Sequence, residues 1–182
     1  MAITLEIEPL SESRFAPYGW VLGKPTMPGS DGPFYASSTL TMWRTHLFDT
    51  GGSDKTDVLW MSLTCDDSDV ERLQARWITE EALIPLSGPV VQIVASSTDD
   101  RRPDMDTLRA FEVPVGLGVC VRPQCWYSTR ALNGDVTSLV LSRRSSTYDF
   151  LVHLQTGAPA CETGVRAIEP RSLVALQSVS AD

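Results

Sequence analysis

The sequence predicts an all-β sandwich or barrel. Short runs of alternating apolar and polar residues recur along it, glycine- and proline-rich turns separate them, and long helical patterns are few. In the first run, Ile3, Leu5 and Ile7 alternate with Thr4, Glu6 and Glu8. Period two marks a half-buried strand. After Pro9, Ser11 to Phe15 suits one short capped helix, closed by Pro17, Tyr18 and Gly19. Trp20 to Leu22 reads as a second strand. Residues 23–33 hold Gly23, Pro25, Pro28, Gly29, Gly32 and Pro33, the composition of a loop that can serve as a mobile lid.

Residues 40–48 alternate again. Leu40, Met42, Arg44 and His46 share one face, and Thr41, Trp43, Thr45 and Leu47 the other. A polar turn over 51–57 leads to a strand over Val58–Leu63, so 40–48 and 58–63 are expected to pair as a hairpin. Residues 82–86 and 90–95 read as strand, tight turn, strand about Ser87, Gly88 and Pro89. Pro103 to Leu108 suits a single helical turn with proline at its start. Residues 109–113, 118–122 and 138–142 are further strands. Residues 150–154 alternate, with His153 opposite Phe150 and Val152. The tail can carry a short helix over Ser172–Gln177. No repeat, linker or composition break divides the chain, so one domain over 1–182 is expected.

Composition narrows the function. Lys+Arg total 15 against 23 Asp+Glu, a formal charge of -8. The isoelectric point near 4.7 repels phosphate backbones, which disfavours nucleic-acid binding. No apolar run approaches the roughly 18 residues of a membrane span. The first residues lack a basic segment followed by a hydrophobic stretch, so a cytoplasmic setting without membrane partners is expected. The acidic runs Asp66-Asp67-Ser68-Asp69 and Asp99-Asp100 read as solvated loops without calcium-loop spacing.

The two histidines, His46 and His153, exclude a metal site built on three histidines of one chain. They lie far apart, without His-Glu-x-x-His spacing, and read as ordinary polar residues; only a site of two histidines with carboxylates stays open. No metal or organic cofactor is therefore expected. Lys24 and Lys55 sit in loop sequence, an unusual setting for a desolvated Schiff-base lysine. Cys65, Cys120, Cys125 and Cys161 form no Cys-x-x-Cys pair, and zinc-ribbon and thioredoxin readings fail on spacing. Cys120, between Val119 and Val121, reads as a small core residue.

Three stretches follow one another in a fixed order. They are Glu8 to Gly19 (Glu-Pro-Leu-Ser-Glu-Ser-Arg-Phe-Ala-Pro-Tyr-Gly), Ala82 to Gly88 (Ala-Leu-Ile-Pro-Leu-Ser-Gly), and Pro103 to Phe111 (Pro-Asp-Met-Asp-Thr-Leu-Arg-Ala-Phe), followed by Gly118, Val119 and Trp126. In order and spacing the chain resembles the ureidoglycolate lyase family over roughly residues 5–145. The resemblance implies a cupin-like β-barrel with short peripheral helices, and a homodimer joined through edge strands. It also implies a reaction: ureidoglycolate loses its hydroxyl proton, expels urea and leaves glyoxylate. That needs a base for the hydroxyl, an acid for the leaving nitrogen and a positive clamp for the carboxylate.

The polar lining departs from the family pattern. Where the family carries Glu-Arg-His-Pro before a Gln-Ala-Phe-Ile-Pro strand, this chain has Arg76 for the histidine and Glu81 for the glutamine. The family's Asn-Tyr-His-x-x-x-Trp-His-His reads Cys120 to Ser128 here, so Arg122, Tyr127 and Ser128 replace histidines while Trp126 stays. An Ile-Asp-Arg strand end reads Leu141-Ser142-Arg143. On this alignment Arg76 and Arg122 stand near the barrel mouth, where they can clamp a carboxylate or a forming enolate. Glu81 is then the candidate base, and Tyr127 the candidate acid or oxyanion donor. His46 is a second base if the face it shares with Arg44 turns inward. Trp126 and Arg44 complete the expected substrate contacts. The ordinary readings are a solvated ion pair and a packed tyrosine with a satisfied hydroxyl.

Three functions follow. The preferred one is a metal-independent lyase, cleaving a C–N or C–O bond of a small carboxylate- or carbonyl-bearing molecule. The second is an isomerase, dehydratase or cyclase acting on a larger secondary metabolite, which needs a deeper and more apolar pocket. The third is a non-catalytic ligand-binding barrel.

Overall fold

The computed structural model describes residues 3–23, 33, 35–65 and 69–175. In chain order come β1 (Ile3–Pro9), α1 (Glu12–Phe15), β2 (Gly19–Gly23), β3 (Tyr35–Ala36), β4 (Thr41–Met42), β5 (Thr56–Leu63), β6 (Val70–Arg76), β7 (Glu81–Pro85) and β8 (Val90–Ala95). A 3-10 turn (Met105–Thr107) precedes β9 (Arg109–Val113). Then follow β10 (Leu117–Val121), β11 (Trp126–Arg130), β12 (Val136–Arg143), α2 (Arg144–Thr156) and β13 (Thr163–Ala175). Strand makes up 50% of the structure against 12% helix, and the fold is the all-β, cupin-like one that the sequence predicts.

Six strands close a barrel in the order β1-β13-β6-β11-β8-β9, and β1 completes it by pairing in parallel with both β13 and β9. Five more form a sheet in the order β2-β10-β7-β12-β5. Two apolar layers follow from strand parity. Ile7, Leu73, Ile93, Ala110 and Trp126, all from barrel strands, form one cluster with Leu173 packed against it. Val90, Val94, Phe111 and Tyr127 from the barrel meet Leu83, Val119, Val121, Val136 and Val140 from the sheet in the other. The strand β8 contributes alternate residues to each, and all six of its residues are buried. A strand covered on both faces reads as a continuous apolar run.

Several local expectations give way. Residues 40–48 form strand only at Thr41–Met42, which pairs with β3, while β5 pairs with β12. No 40–48/58–63 hairpin exists among the described residues. The segment 43–54 leaves the sheet instead, and the Asp49 carbonyl accepts the Glu80 N–H at 3.1 Å. The region 150–154 is helix, not strand. Phe150 and Leu154, four apart, line one cavity, which is helical spacing. The tail is strand: Arg171 to Ala175 pairs in parallel with Ile3 to Ile7. Short apolar runs of this kind do not distinguish helix from strand by pattern alone. Residues 24–32 of the expected lid, 66–68 of the acidic run and 176–182 of the tail lie outside the described residues.

One side chain ties α2 to β13. Asp149 accepts the backbone N–H groups of Cys161, Glu162 and Thr163 at 2.9, 3.1 and 3.0 Å, and the Thr163 hydroxyl at 2.8 Å. Burial raises its pKa, but these bonds lower it further, so the carboxyl is held below the usual carboxylate range. A carboxamide in its place has only one accepting oxygen and cannot accept this set of donors. Asp149→Asn should therefore cost about 1–3 kcal/mol in urea denaturation at neutral pH. A depressed folded pKa gives stability above the unfolded value, near 3.9, that disappears as pH falls through the folded one. The gap between wild type and variant should accordingly close in acid.

Candidate active site

Arg76, Glu81 and Tyr127 meet where barrel and sheet are joined. Arg76 ends β6, Glu81 begins β7, and Tyr127 is the second residue of β11. The pairing of Ala75 with Trp126 and Gln74 with Tyr127 sets β11 beside β6. Leu73 and Ala75 belong to the barrel cluster, so Gln74 and Arg76 turn the other way, toward the layer that contains Tyr127. The Gln124 N–H donates to the Arg76 carbonyl at 2.6 Å and fixes the turn that leads into β11.

Arg76 donates through Nε and Nη2 to Glu81 Oε2, both at 3.0 Å. The Tyr127 hydroxyl donates to Glu81 Oε1 at 2.6 Å. Side-chain exposure is 6% for Arg76 and 12% for Glu81. The Arg76 guanidinium lies 4.6 Å above the Phe150 ring, and its Nη1 is buried with no hydrogen-bond partner. Burial raises the Tyr127 pKa most. Arg76 opposes and Glu81 adds to it, leaving the phenol well above its usual range. Tyr127 is therefore a neutral O–H donor at physiological pH. A carboxylate offers about four lone-pair sites. Three are filled here, which leaves one on Oε1 beside Tyr127.

Past their two paired residues, β6 and β11 diverge and a cavity of about 330 Å³ opens between them. Tyr127 lines it, together with Arg72, Gln74, Thr129 and Arg130, and Phe150 and Leu154 lie over it. Glu81 and Arg76 stand behind this wall: Tyr127 and Phe150 each line the cavity and touch one of them. The Arg130 Nε is buried with no hydrogen-bond partner. The sequence reading missed Arg72 and Arg130. The available signal was period two over Arg72, Gln74 and Arg76, in a stretch not read as strand.

The structure places Trp126, Arg122 and His46 apart from this cluster. Trp126 is buried among the barrel residues, edge-on to Trp77 at 5.4 Å. Arg122 lies over Trp20 at 5.1 Å and donates to the Ala16 carbonyl at 2.6 Å, beside α1. Arg44 is exposed on the segment between β4 and β5. His46 bonds Glu80 at 2.8 Å. Glu80 also touches Cys120, whose neighbours Val119 and Val121 face the apolar layer, so this cluster lies on the sheet's other face. Cys120 and Cys125 are poor nucleophiles. Burial, then Glu80, pushes the Cys120 thiol far above its usual range, and burial pushes Cys125 up to about 12.

The family model described as ureidoglycolate lyase matches residues 2–155. The chain belongs to the ureidoglycolate lyase family. No curated protein matches it. Lyase-type chemistry on a small molecule is what membership in this ureidoglycolate lyase family supports. The match ends within α2, so it covers Arg76, Glu81, Tyr127 and Phe150. No helix among the described residues is long and apolar enough to cross a membrane.

A buried ion pair is costly to break on one side only. Arg76→Met should destabilise the fold by about 3–5 kcal/mol, because Glu81 is left buried and uncompensated. Adding Glu81→Leu should recover much of that loss. Denaturant unfolding of the two variants checks this, and equal instability would show that packing rather than charge dominates.

Proposed function

We propose that the protein is a C–N lyase for a small 2-hydroxy carboxylate, with ureidoglycolate as the first candidate, and that it works without a metal at this site. The observation that carries the reading is the Tyr127–Glu81 hydrogen bond, with Tyr127 at the cavity wall and Glu81 behind it. The substrate hydroxyl donates to the Tyr127 oxygen as the Tyr127 proton passes to Glu81. The hydroxyl oxygen closes to a carbonyl, and the C–N bond electrons leave on nitrogen. The proton returns through the same pair to that nitrogen. Urea and glyoxylate are released, and atoms and charge balance. The raised phenol pKa disfavours a free tyrosinate, so the relay moves both protons together.

Arg72 and Arg130 in the cavity lining provide the positive clamp for the carboxylate. Arg76 is a positioning residue, fixing the Glu81 carboxylate through Oε2. The lining contains no histidine, cysteine or carboxylate, so its donor set does not suit a divalent cation. A volume of about 330 Å³ is at the small end of ligand pockets, which favours a urea-sized acid over a larger metabolite.

Purified, metal-stripped protein given racemic ureidoglycolate should release urea and glyoxylate in equal amounts. Tyr127→Phe and Glu81→Gln should each lower kcat about 10²- to 10⁴-fold. Arg72→Met should instead act mainly on KM, raising it roughly 10-fold or more, as expected for a lost charged hydrogen bond. Folded protein without turnover would sink the parent reaction. Turnover unchanged in both Tyr127→Phe and Glu81→Gln would sink the relay.

A further inference from the structure

The outer face of the five-stranded sheet carries a second polar cluster, independent of the cavity. His46 comes from the segment between β4 and β5, Glu80 from the link between β6 and β7, and Cys120 from β10. One potential ligand atom from each lies within 4.8 Å of the other two. Glu80 Oε2 is 2.8 Å from His46 Nε2 and 3.6 Å from Cys120 Sγ. Cys120 and Glu80 are buried, at 0% and 5% exposure, and His46 is half-buried.

We propose that His46, Glu80 and Cys120 bind one divalent transition-metal ion of the zinc type, pinning the 43–54 segment to the sheet. The donor set argues for this class. Imidazole with thiolate selects zinc-like ions over calcium and magnesium, which take oxygen ligands, and a bound ion deprotonates the Cys120 thiol that burial otherwise keeps neutral. The spacing fits as well. Bonds of about 2.0–2.3 Å in a tetrahedron put ligand atoms roughly 3.3–3.8 Å apart. The Glu80–Cys120 separation is already in that range, and the His46–Glu80 contact need open only by about half an ångström as a hydrogen bond is exchanged for two metal bonds. Three protein ligands leave a fourth position for water.

The ligands are held in place by their surroundings. The Asp49 N–H donates to Glu80 Oε2 at 2.8 Å. The His46 ring stacks on Trp20 with centroids 4.1 Å apart and planes 20° apart. Gly51, at φ +69°, lets the same segment approach so closely that a Cβ there would collide with the Ile78 carbonyl. Outer partners that fix ligand orientation are the usual support of a metal site. The count of two histidines excluded a three-histidine centre, and a mixed centre of one histidine, one carboxylate and one thiolate escapes that exclusion.

The test uses the full chain, stripped of metal under reducing conditions and titrated with zinc ion alone against a chromophoric chelator. One zinc per chain is expected. Cobalt in its place should give a thiolate-to-cobalt charge-transfer band. Cys120→Ser should abolish that band, and His46→Gln and Cys120→Ser should each weaken zinc binding at least 10-fold. Tyr127→Phe, in the cavity, should leave binding unchanged. His46→Gln alters a half-buried side chain, so it keeps the test valid should Cys120→Ser fail to fold. Sub-stoichiometric zinc, or binding that survives both His46→Gln and Cys120→Ser, would overturn the proposal.

Discussion

Arg76 belongs to the barrel and Glu81 to the sheet, and the ion pair between them is buried at the seam. Removing two charges from water costs several kcal/mol per ion, and attraction repays this only where hydrogen bonds are nearly complete. They are nearly complete on the carboxylate, whereas Arg76 Nη1 has no partner and its guanidinium lies over the Phe150 ring. Two guanidinium N–H groups reach one carboxylate oxygen and the Tyr127 hydroxyl reaches the other. The pair therefore fixes the relation of β6, β7 and β11 at one point. The four-residue link between Arg76 and Glu81 is fastened at both ends: Trp77 donates to the Glu162 and Thr163 carbonyls, and Glu80 to Asp49. Cavity, cluster and segment 43–54 all take their positions from this seam.

What the sequence made legible follows from how locally each element is determined. The strands β1, β2, β7, β8, β9 and β10 carry their own signals in alternation, apolar runs and flanking turns. The strand β6 does not. Val70 and Leu73, three apart, both pack in the barrel, so the exposed Glu71 and Arg72 between them break the alternation. Its partner β13 carries Pro170 beside a register shift between Ala167 and Arg171, a break where a single sequence suggests an ending. The helix α2 has no buried stripe to announce it. Among its residues only Ser146 is buried, and its stop at Gly157 is set by a left-handed cap.

The site was legible to the extent that alignment with a known pattern fixes strand parity. The sequence groups Arg76, Glu81 and Tyr127, and they meet in the structure. Trp126 is adjacent to Tyr127 on the strand, so it must face the opposite way, and it fills the barrel. Arg122 follows Val121 out of the strand and is drawn to the α1 corner by the Ala16 carbonyl. For His46 and Arg44 the premise itself fails. Their shared face exists only if 40–48 is a strand, and beyond Met42 it is not.

The same parity rule explains how neighbouring glutamates come to serve different surroundings. Glu80 and Glu81 are consecutive, and the sheet begins between them. Glu81 turns into the layer between sheet and barrel and meets a cation and a phenol. Glu80 turns outward and meets an imidazole and a thiol. The inward cluster of Arg76, Glu81 and Tyr127 offers none of the imidazole or thiolate ligands that a transition metal prefers. It supplies instead fixed positive charge and a high-pKa hydroxyl, which suit a carboxylate and a moving proton. The outward face keeps the nitrogen, sulfur and oxygen donors. One strand boundary thus separates the proposed proton relay from the proposed metal site, so a change at Glu81 is expected to act on the former while leaving the outer cluster as it is.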